Sequence, residues 1–241
     1  MATLFISDLH LHAERPDGIE QFLSFIRTEA AHASALYILG DLFEAWIGDD
    51  DTDPSLAPII GALAELKRTG VPCYFMHGNR DFLIGKRFAA ATGCELLDEW
   101  HVVEIEGQHV LLTHGDLLCT DDTPYQALRS MVRDSVWQRE FLAKSLEERR
   151  AIVADLRERS KTETADKPAE IMDVNRDAVE AALRRYEVSV LLHGHTHRPA
   201  VHELVTDGAR ATRIVLGDWY HRGSVLRWDT GGFDLETLER T

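Results

Sequence analysis

Thiols, long apolar runs and basic residues are all scarce in this sequence. The three cysteines, Cys73, Cys94 and Cys119, are scattered and form no CxxC pair. They indicate neither a disulfide framework nor a zinc knuckle, and we interpret them as packing residues. No apolar run approaches the roughly 18 residues of a membrane-spanning helix, and the N-terminus lacks the basic region and cleavage site of a signal peptide. We therefore expect a cytoplasmic protein, or one that binds a membrane peripherally.

The deficit of positive charge limits the classes of ligand. Acidic residues number 41 against 26 basic ones, and the formal net charge is −15. Such a chain is unsuited to sequence-independent binding of nucleic acid, so a nuclease is disfavoured. At 241 residues the chain can bury a substantial core, and one large α/β domain with an insertion accounts for its length.

Apolar runs of strand length alternate with helical periodicity in the first half of the chain. Strands are predicted at 3–7, 35–39 and 71–76, and helices at 17–32, 56–68 and 82–91. Alternation with short connections predicts parallel pairing and right-handed crossovers. The carboxyl ends of such strands meet at one edge of the sheet, where α/β proteins bind their ligands.

Shorter strands are predicted in the second half. They fall at 100–105 and 108–113, and a further strand at 188–192 follows a helix at 173–186. The remaining strands, between 200 and 238, are expected to form a second sheet against the first. The predicted fold class is therefore α/β, with two packed mixed β-sheets flanked by helices in a single domain, residues 1–241.

A helical insertion at about 122–169 interrupts this pattern. It contains no strand candidate, and Leu128, Met131, Val132, Trp137 and Phe141 form an apolar stripe. Residues 126–161 contain nine Lys or Arg and six Asp or Glu, so the insertion is basic relative to the whole chain. Such a segment suits an anionic substrate or a membrane surface. The alternative is a solvated helical hairpin whose stripe packs on the main domain.

Five polar motifs follow predicted strands. They are Asp8-Leu9-His10, Gly40-Asp41, Gly78-Asn79-Arg80-Asp81, His114-Gly115-Asp116 and His193-Gly194-His195-Thr196-His197. Each motif alone has an ordinary explanation as a helix cap, a turn or a packed histidine. Five motifs in this order, each at the end of a strand, instead predict a two-metal phosphoesterase site.

The candidate ligands are carboxylate, imidazole and carboxamide groups without a thiolate. This set suits Mn²⁺, Fe²⁺ or Co²⁺ better than a structural Zn²⁺. Asp41 is the natural bridge, because two cations roughly 3.5–4 Å apart need a shared negative ligand. Such a pair lowers the pKa of a bridging water and orients it for in-line attack on phosphorus. Hydrolysis then needs no covalent intermediate.

Other polar residues near the motifs have lesser predicted roles. Asp81 and Asp116 are expected to orient neighbouring groups, a role also open to Asp218, and His193 is expected to pack beside the site. The remaining histidines are placed outside the site: His12, His32, His77, His101, His109, His202 and His221.

Together the five motifs resemble those of the calcineurin-like metallophosphoesterase superfamily, from Asp8 to His197. Most relatives have Gly-Asn-His in the third motif, whereas Arg80 takes the place of that histidine here. Arginine cannot serve as a titratable proton donor, but it supplies a permanent bidentate cation. With residues 43–50, Tyr125 and the insertion, Arg80 makes the chain similar to one family of this superfamily, the bacterial UDP-2,3-diacylglucosamine diphosphatases of lipid A biosynthesis.

This resemblance implies an activity and a set of functional residues. Water would attack the α-phosphorus of UDP-2,3-diacylglucosamine and give 2,3-diacylglucosamine 1-phosphate and UMP. One Mn²⁺ would be held by Asp8, His10, Asp41 and His197, and the second by Asp41, Asn79, His114 and His195. The implied substrate contacts are Asn79, Arg80, Asp122, Ser160, Thr164, Lys167 and His195, and the implied catalytic residues are Asp41, Asn79, Arg80 and His195.

The same resemblance implies that the insertion is a lid that encloses acyl chains. The protein would be a monomer on the cytoplasmic face of the inner membrane, with no nucleic-acid partner. A soluble nucleotide phosphodiesterase or dinucleotide polyphosphate hydrolase of the same superfamily is an alternative. A binding module that keeps the fold without the metal chemistry is another.

Overall fold

The structure, a computed structural model, describes residues 1–51, 53–165 and 173–239, with the backbone alone for 159–165. The strands are β1 (Thr3–Ile6), β2 (Ala35–Ile38), β3 (Cys73–Met76), β4 (Glu95–Leu97), β5 (His101–Ile105), β6 (Gln108–Leu112), β7 (Val190–His193), β8 (Ala200–Thr206), β9 (Ala209–Val215), β10 (Gly223–Asp229) and β11 (Gly232–Leu238). The helices are α1 (Pro16–Thr28), α2 (Ala57–Arg68), α3 (Lys86–Thr92), α4 (Thr123–Arg133), α5 (Ser135–Leu142), α6 (Leu146–Ala165) and α7 (Arg176–Tyr186).

The first sheet has six strands in the order β11-β10-β1-β2-β3-β4. β1 to β4 are parallel, and β10 runs antiparallel to both β1 and β11. α1, α2 and α3 connect the parallel strands, as the alternating pattern predicts. They cover one face of the sheet through buried side chains such as Phe22, Leu63 and Phe88. This arrangement leaves the carboxyl ends of β1, β2 and β3 side by side.

The second sheet has five strands in the order β5-β6-β7-β9-β8. β6, β7 and β9 are parallel, while β5 and β8 pair with their neighbours as antiparallel hairpins. α7 covers the outer face, where Val179 and Leu183 pack with Leu111 and Leu191. α7 begins at Arg176 because the side chain of Asn175 accepts a hydrogen bond from the backbone N–H of Ala178.

The two sheets pack face to face through a common apolar layer. Phe5 and Met76 of the first sheet and Val110, Leu192 and Ile214 of the second are all at most 2% exposed. The prediction of two packed mixed β-sheets flanked by helices is therefore confirmed. This packing brings the carboxyl ends of β6 and β7 next to those of β1, β2 and β3.

The last two strands differ from the sequence prediction, which assigned all strands after residue 200 to the second sheet. β8 and β9 belong to it, but β10 and β11 extend the first sheet instead. Residues 223–226 of β10 are buried on both strand faces, because Val225 packs into the core beneath the helices and Leu226 into the layer between the sheets. Apolar alternation alone does not reveal which sheet such a strand joins.

The segment between β6 and α7 contains the helices α4, α5 and α6 and no strand among its described residues. Asp122 and Asp134 cap α4 and α5, since their carboxylates accept hydrogen bonds from the first backbone N–H groups of each helix. Phe141 and Val132 of this segment are buried. Within the described residues, no helix combines the length and the apolar character that crossing a bilayer requires.

Candidate functional site

Loops at the carboxyl ends of five strands carry the seven predicted ligands. Asp8 and His10 follow β1, Asp41 follows β2, Asn79 follows β3, His114 follows β6, and His195 and His197 follow β7. All seven side chains lie in two adjoining groups, so the structure brings together every residue of the predicted set.

The first group contains Asp8, His10 and His197. Nε2 of His10 lies 3.3 Å from Nε2 of His197, and Oδ1 of Asp8 lies 3.3 Å from the same His197 nitrogen. Both Asp8 and His10 are almost completely buried. Oδ1 of Asp8 accepts no hydrogen bond from the described residues. Two imidazole nitrogens that face each other beside a buried carboxylate are a favourable arrangement for a divalent cation.

The second group contains Asp41, Asn79, His114 and His195. Oδ1 of Asn79 lies 3.0 Å from Nε2 of His114 and 2.9 Å from Nδ1 of His195. Oδ2 of Asp41 lies 3.7 Å from Nε2 of His114. Asp8, Asp41 and His114 also offer ligand atoms within 4.8 Å of one another, so the two groups adjoin. Oxygen and nitrogen donors without sulfur fit Mn²⁺-like ions, and the residues present therefore fit the metal centre that the motifs imply.

The backbone of this site differs from the sequence expectation. The prediction placed Asp8 and His10 on one side of an extended chain, but β1 ends at Ile6 and their φ angles are +57° and +51°. Asp41, His195 and His197 also have positive φ, at +53°, +66° and +56°. The left-handed region is unfavourable for non-glycine residues, so the donors are held by tight turns rather than by strand alternation.

Glycines of the motifs allow the loops to approach each other closely. A Cβ on Gly78 would lie 2.1 Å from Oδ1 of Asp41, and one on Gly194 would lie 2.3 Å from Oδ2 of Asp8. Both distances are far shorter than a van der Waals contact. The motif glycines therefore provide the space in which the carboxylates sit.

Groups behind the donors fix their orientation. Nδ1 of His114 donates a hydrogen bond to the carbonyl of Leu39 at 2.8 Å, which leaves Nε2 facing the site. Nδ1 of His10 lies 3.2 Å from Glu44, and Nδ1 of His197 lies 3.5 Å from Asp218. These partners point the Nε2 atoms inward, as carboxylates and carbonyls do behind many metal-binding histidines.

Asp81 and Asp116 have different surroundings. Asp81 is buried, and its carboxylate accepts backbone hydrogen bonds from Leu42 at 2.8 Å and Gly78 at 2.9 Å, which ties two site loops together. Burial and the neighbouring Asp41 charge raise the pKa of Asp81 to about 7. Asp116 instead accepts a hydrogen bond from the Tyr125 hydroxyl at 3.1 Å. It therefore connects helix α4 to the site.

Two residues near the site were given no role by sequence reasoning. Glu44 lies behind His10, and Tyr220 stacks on the His10 ring at 4.9 Å while its hydroxyl donates a hydrogen bond to Glu44 at 3.1 Å. Glu44 lies in the stretch 43–50 that carries the family resemblance. Tyr220 follows β9, and this position after the end of a strand is the sequence feature that could have indicated a place near the site. His193 is fully buried beside Gly194, as the packing prediction expected.

Burial and neighbouring charges shift the pKa values of several candidate metal donors. Burial raises the pKa of Asp8, but the imidazole of His197 close to its carboxylate outweighs burial and holds that pKa well below its usual range. Burial lowers the pKa of His195 to about 4. Burial also opposes protonation of His114, yet the charges of Asp41 and Asp8 raise its pKa to about 9. Asp8 thus remains charged, and His195 is neutral near pH 7 with a lone pair available.

The other predicted site residues are only partly described. The backbone N–H of Arg80 donates to Oδ1 of Asp41 at 2.8 Å, and the Arg80 side chain faces the space beside Asn79. Asp122 caps α4 on the wall of the same space. The side chains of Ser160 and Thr164, and all of Lys167, lie outside the described residues.

Two spaces meet at the donor groups. An apolar cavity of about 810 Å³, including the part open to solvent, is lined by residues of the insertion such as Leu128, Trp137 and Val153. A more polar groove of about 900 Å³, measured in the same way, is lined by Asp122 and Thr196. Asn79, Arg80 and Tyr125 line both spaces. A ligand with one apolar and one polar half could therefore place the bond between them at the metal centre.

Comparisons with known proteins agree with this site. The family model described as calcineurin-like phosphoesterase matches residues 1–199. A relative from Serratia proteamaculans, named UDP-2,3-diacylglucosamine hydrolase, is 52% identical over 98% of both chains. A relative of the same name from Stenotrophomonas maltophilia is 48% identical over the whole of both chains.

A solved archaeal phosphodiesterase has the same fold. Its TM-score is 0.50 with 14% identity, and the match covers 99% of this chain and 100% of that one. The donor groups, the family match over most of the length and the full-length relatives agree with one another. The chain therefore belongs to the calcineurin-like phosphoesterase family.

Proposed function

We propose that this protein hydrolyses the pyrophosphate bond of UDP-2,3-diacylglucosamine in lipid A biosynthesis, with water attacking the α-phosphorus. The products are 2,3-diacylglucosamine 1-phosphate and UMP. Two relatives that cover the chain almost completely have the name of this hydrolase. The observation that carries the proposal is the apolar cavity of the insertion, which opens directly beside Asn79 and Arg80.

The cavity suits the acyl half of this substrate. Its walls come from α4, α5 and α6 on one side and from Trp46, Phe82 and Leu83 on the other. Burial of a methylene group contributes about 0.8 kcal/mol, so two acyl chains add a large apolar term to binding. We assign the insertion, about 122–169 within a single domain of residues 1–241, as the lid over these chains. A soluble dinucleotide polyphosphate has no acyl chain to fill such a space, and this alternative is disfavoured.

The metal centre is assigned two Mn²⁺ ions. Asp8, His10, Asp41 and His197 would hold one ion, and Asp41, Asn79, His114 and His195 the other. Such ions lower the pKa of water and neutralise charge on the phosphoryl group when bound. The residues around them have separate tasks. Glu44 and Asp218 orient two of the imidazoles, and Asp81 holds the loops that carry Asp41 and Asn79.

Arg80 takes the task of binding phosphoryl oxygens. It lines both spaces, and its backbone N–H is fixed by Asp41. A guanidinium pairs with phosphate in a bidentate manner and keeps its charge at every working pH. It therefore stabilises the departing sugar phosphate by charge and needs no proton transfer. Asp122 is assigned to the polar half of the substrate, and Ser160, Thr164 and Lys167 remain predicted contacts.

Turnover of the lipid substrate tests this function directly. Protein loaded with Mn²⁺ should release UMP from UDP-2,3-diacylglucosamine, and in ¹⁸O water the label should enter UMP and not the sugar phosphate. Parallel assays with Mg²⁺, Co²⁺ and Zn²⁺ identify the preferred ion. UDP-glucosamine without acyl chains is the matched control and should be cleaved far more slowly. Hydrolysis of a dinucleotide polyphosphate without hydrolysis of the acylated substrate would reject the proposal.

Peripheral binding to the inner membrane is the second part of this proposal. Met131, Val136 and Leu142 on α4 and α5 are 45%, 46% and 40% exposed, and Arg139 and Lys144 are exposed near them in the chain. Apolar side chains with neighbouring cations favour the surface of an anionic bilayer. Replacing Met131, Val136 and Leu142 together with serine should reduce the fraction of protein that sediments with anionic phospholipid vesicles. Serine at Val201 and Val205, which are exposed on β8, should not.

We assign the active form to a single chain, since one chain supplies all seven donors. Light scattering after gel filtration should give the mass of a monomer at the concentration used for the assay. A dimer that loses activity on dilution would contradict this assignment.

A further inference from the structure

The nucleotide half of the proposed substrate needs its own place beside the metal centre. If the acyl chains occupy the apolar cavity, the nucleotide leaves the reaction centre in the other direction, along the polar groove. Thr196 and Arg198 form part of the groove wall there. The following inference rests on the proposed function, because it identifies which residues recognise the nucleotide.

Beside the groove lies a smaller pocket that combines charged side chains with apolar surface. Arg198 lines both spaces, and the pocket is completed by Asp173, His202 and Arg213 together with Pro199. Its volume is about 440 Å³, including the part open to solvent. His202 on β8 and Arg213 on β9 are paired across their hairpin, and Asp173 lies just before α7. None of these pocket residues belongs to the two metal-donor groups.

The polar groups of this pocket form a defined pattern. One carboxylate, that of Asp173, lies between two guanidinium groups: Oδ2 is 2.9 Å from Nη1 of Arg198, and Oδ1 is 3.7 Å from Nη1 of Arg213. The Arg213 side chain is only 12% exposed. Its Nη1 makes no hydrogen bond within the described part of the chain. A buried guanidinium with one distant carboxylate retains unused donor capacity, which is costly unless a ligand uses it.

We propose that this pocket binds the uracil base of the nucleotide half. The pairing edge of uracil presents an acceptor, a donor and an acceptor, namely O4, N3–H and O2. The row Arg213, Asp173 and Arg198 presents the complementary donor, acceptor and donor. Both carbonyl oxygens of the base accept hydrogen bonds from guanidinium groups, and N3–H donates a hydrogen bond to the carboxylate. Pro199 and the His202 ring supply the apolar surface against which a flat base packs.

The same row discriminates against other pyrimidines. Cytosine has an amino donor in place of O4 and an unprotonated N3, so it would direct an amino group at a guanidinium and a lone pair at the Asp173 carboxylate. When a base with a different pairing edge binds, the buried polar groups of the pocket lose their hydrogen-bond partners. We expect this to weaken binding by about tenfold or more. The pocket therefore selects uracil by its pairing edge.

Nucleotide binding to the wild-type, Mn²⁺-loaded full-length protein tests the inference without turnover. Calorimetry should give a dissociation constant for UMP about tenfold or more lower than for CMP, because the N3 and C4 groups of cytosine are mismatched. UMP methylated at N3 should bind as weakly as CMP, since it lacks the proton that Asp173 accepts. Equal affinities for the three nucleotides would overturn the assignment.

Substitutions in the pocket then test which residues distinguish UMP from CMP. Asp173→Asn should bring the ratio of CMP to UMP dissociation constants close to one, and Arg213→Met should weaken UMP at least about fivefold. Arg210→Met is the matched control, because Arg210 is an exposed arginine on the same strand, and it should leave both affinities unchanged. An unaltered UMP preference in Asp173→Asn contradicts the inference. A variant that misfolds loses both nucleotides equally, and the wild-type comparison with N3-methyl UMP then decides.

The two proposals fail in different ways. If the protein releases UMP from UDP-2,3-diacylglucosamine but binds UMP and CMP equally, the base pocket is wrong and the proposed function stands. If it does not cleave that substrate, the proposed function is wrong whatever the nucleotide affinities are.

Discussion

Arg129 is the residue whose removal best tests how the insertion is attached to the site. Its Nε donates to Oδ2 of Asp116 at 2.7 Å, and its Nη2 pairs with Glu99. The Arg129 and Asp116 side chains are 10% and 2% exposed, whereas Glu99 is 40% exposed. Asp116 follows the predicted metal ligand His114 by two residues, and Arg129 lies on α4. Their ion pair therefore links the insertion to the metal centre.

The expected cost of Arg129→Met follows from these exposures. Breaking a buried pair by removing one partner costs about 3–5 kcal/mol, because the other charge stays buried without compensation. In the variant Asp116 keeps the hydrogen bond from the Tyr125 hydroxyl, so we expect a cost at the lower end of this range. The half-exposed Glu99 adds little. We expect the free energy of unfolding to fall by about 3 kcal/mol, out of the roughly 5–15 kcal/mol typical of a domain.

Urea unfolding of the metal-loaded protein measures this change as a shift of the midpoint by roughly 1 M or more. A double-mutant cycle with Asp116→Asn isolates the pair, since Arg129→Met should cost less than about 1 kcal/mol once the charge at position 116 is gone. Arg139→Met, at an exposed position on α5, is the control for loss of an arginine from the insertion. An equal cost of Arg129→Met in both backgrounds would refute the reasoning, because the effect would then come from packing.

Further predictions concern the metal centre and the cavity. Asp41→Ala should lose both hydrolysis and bound Mn²⁺ as measured by mass spectrometry; retention of two ions would exclude Asp41 as the bridge. The charges of Asp41 and Asp8 overcome burial and raise the pKa of His114 to about 9, so Mn²⁺ must displace a proton from His114 to bind. The affinity for Mn²⁺ should therefore rise with pH up to about 9, and calorimetry in two buffers counts the released proton. An affinity for Mn²⁺ that does not change with pH would contradict this. Gly194→Ala places a Cβ 2.2 Å from the hydroxyl of Ser7 and should cost about 1–3 kcal/mol of unfolding free energy, whereas an unchanged urea midpoint would show that the loops can separate. Val153→Trp should raise the KM for a long-chain substrate more than for a short-chain one, and equal effects would place the acyl chains elsewhere.

The sequence predicted the two-sheet architecture and the convergence of the candidate ligands because both depend on short-range patterns. Buried runs such as 3–7 and 35–39 are recognisable as strands, and a polar motif after each one is recognisable as a loop at the sheet edge. The sheet of β10 was not predictable in the same way. Its place in the first sheet depends on pairing with β1, which lies at the opposite end of the chain.

The conformation of the ligands was also beyond sequence reasoning. Extended geometry is the default after a strand, and nothing in the residue types of Asp8 or His10 indicates a positive φ. The turns are stabilised by contacts between distant loops, such as the backbone N–H of His10 donating to the carbonyl of Asp41 at 3.0 Å. Glu44 and Tyr220 were missed for a similar reason, since their role depends on the position of His10 in space.

A buried arginine at the start of α6 limits how the insertion can move. Arg149 is 3% exposed, and its Nη1 donates to the carbonyl of Ile47 at 2.9 Å and to Oδ1 of Asp50 at 2.6 Å. Arg149 is one of several charged side chains that attach the insertion to the main domain, together with Arg129, which pairs with Asp116, and Arg157, which pairs with Glu44. Movement of the whole insertion away from the domain would break these ion pairs together, at a cost in free energy. If the cavity binds acyl chains as proposed, we therefore expect them to enter it through its solvent-open side while the insertion stays attached.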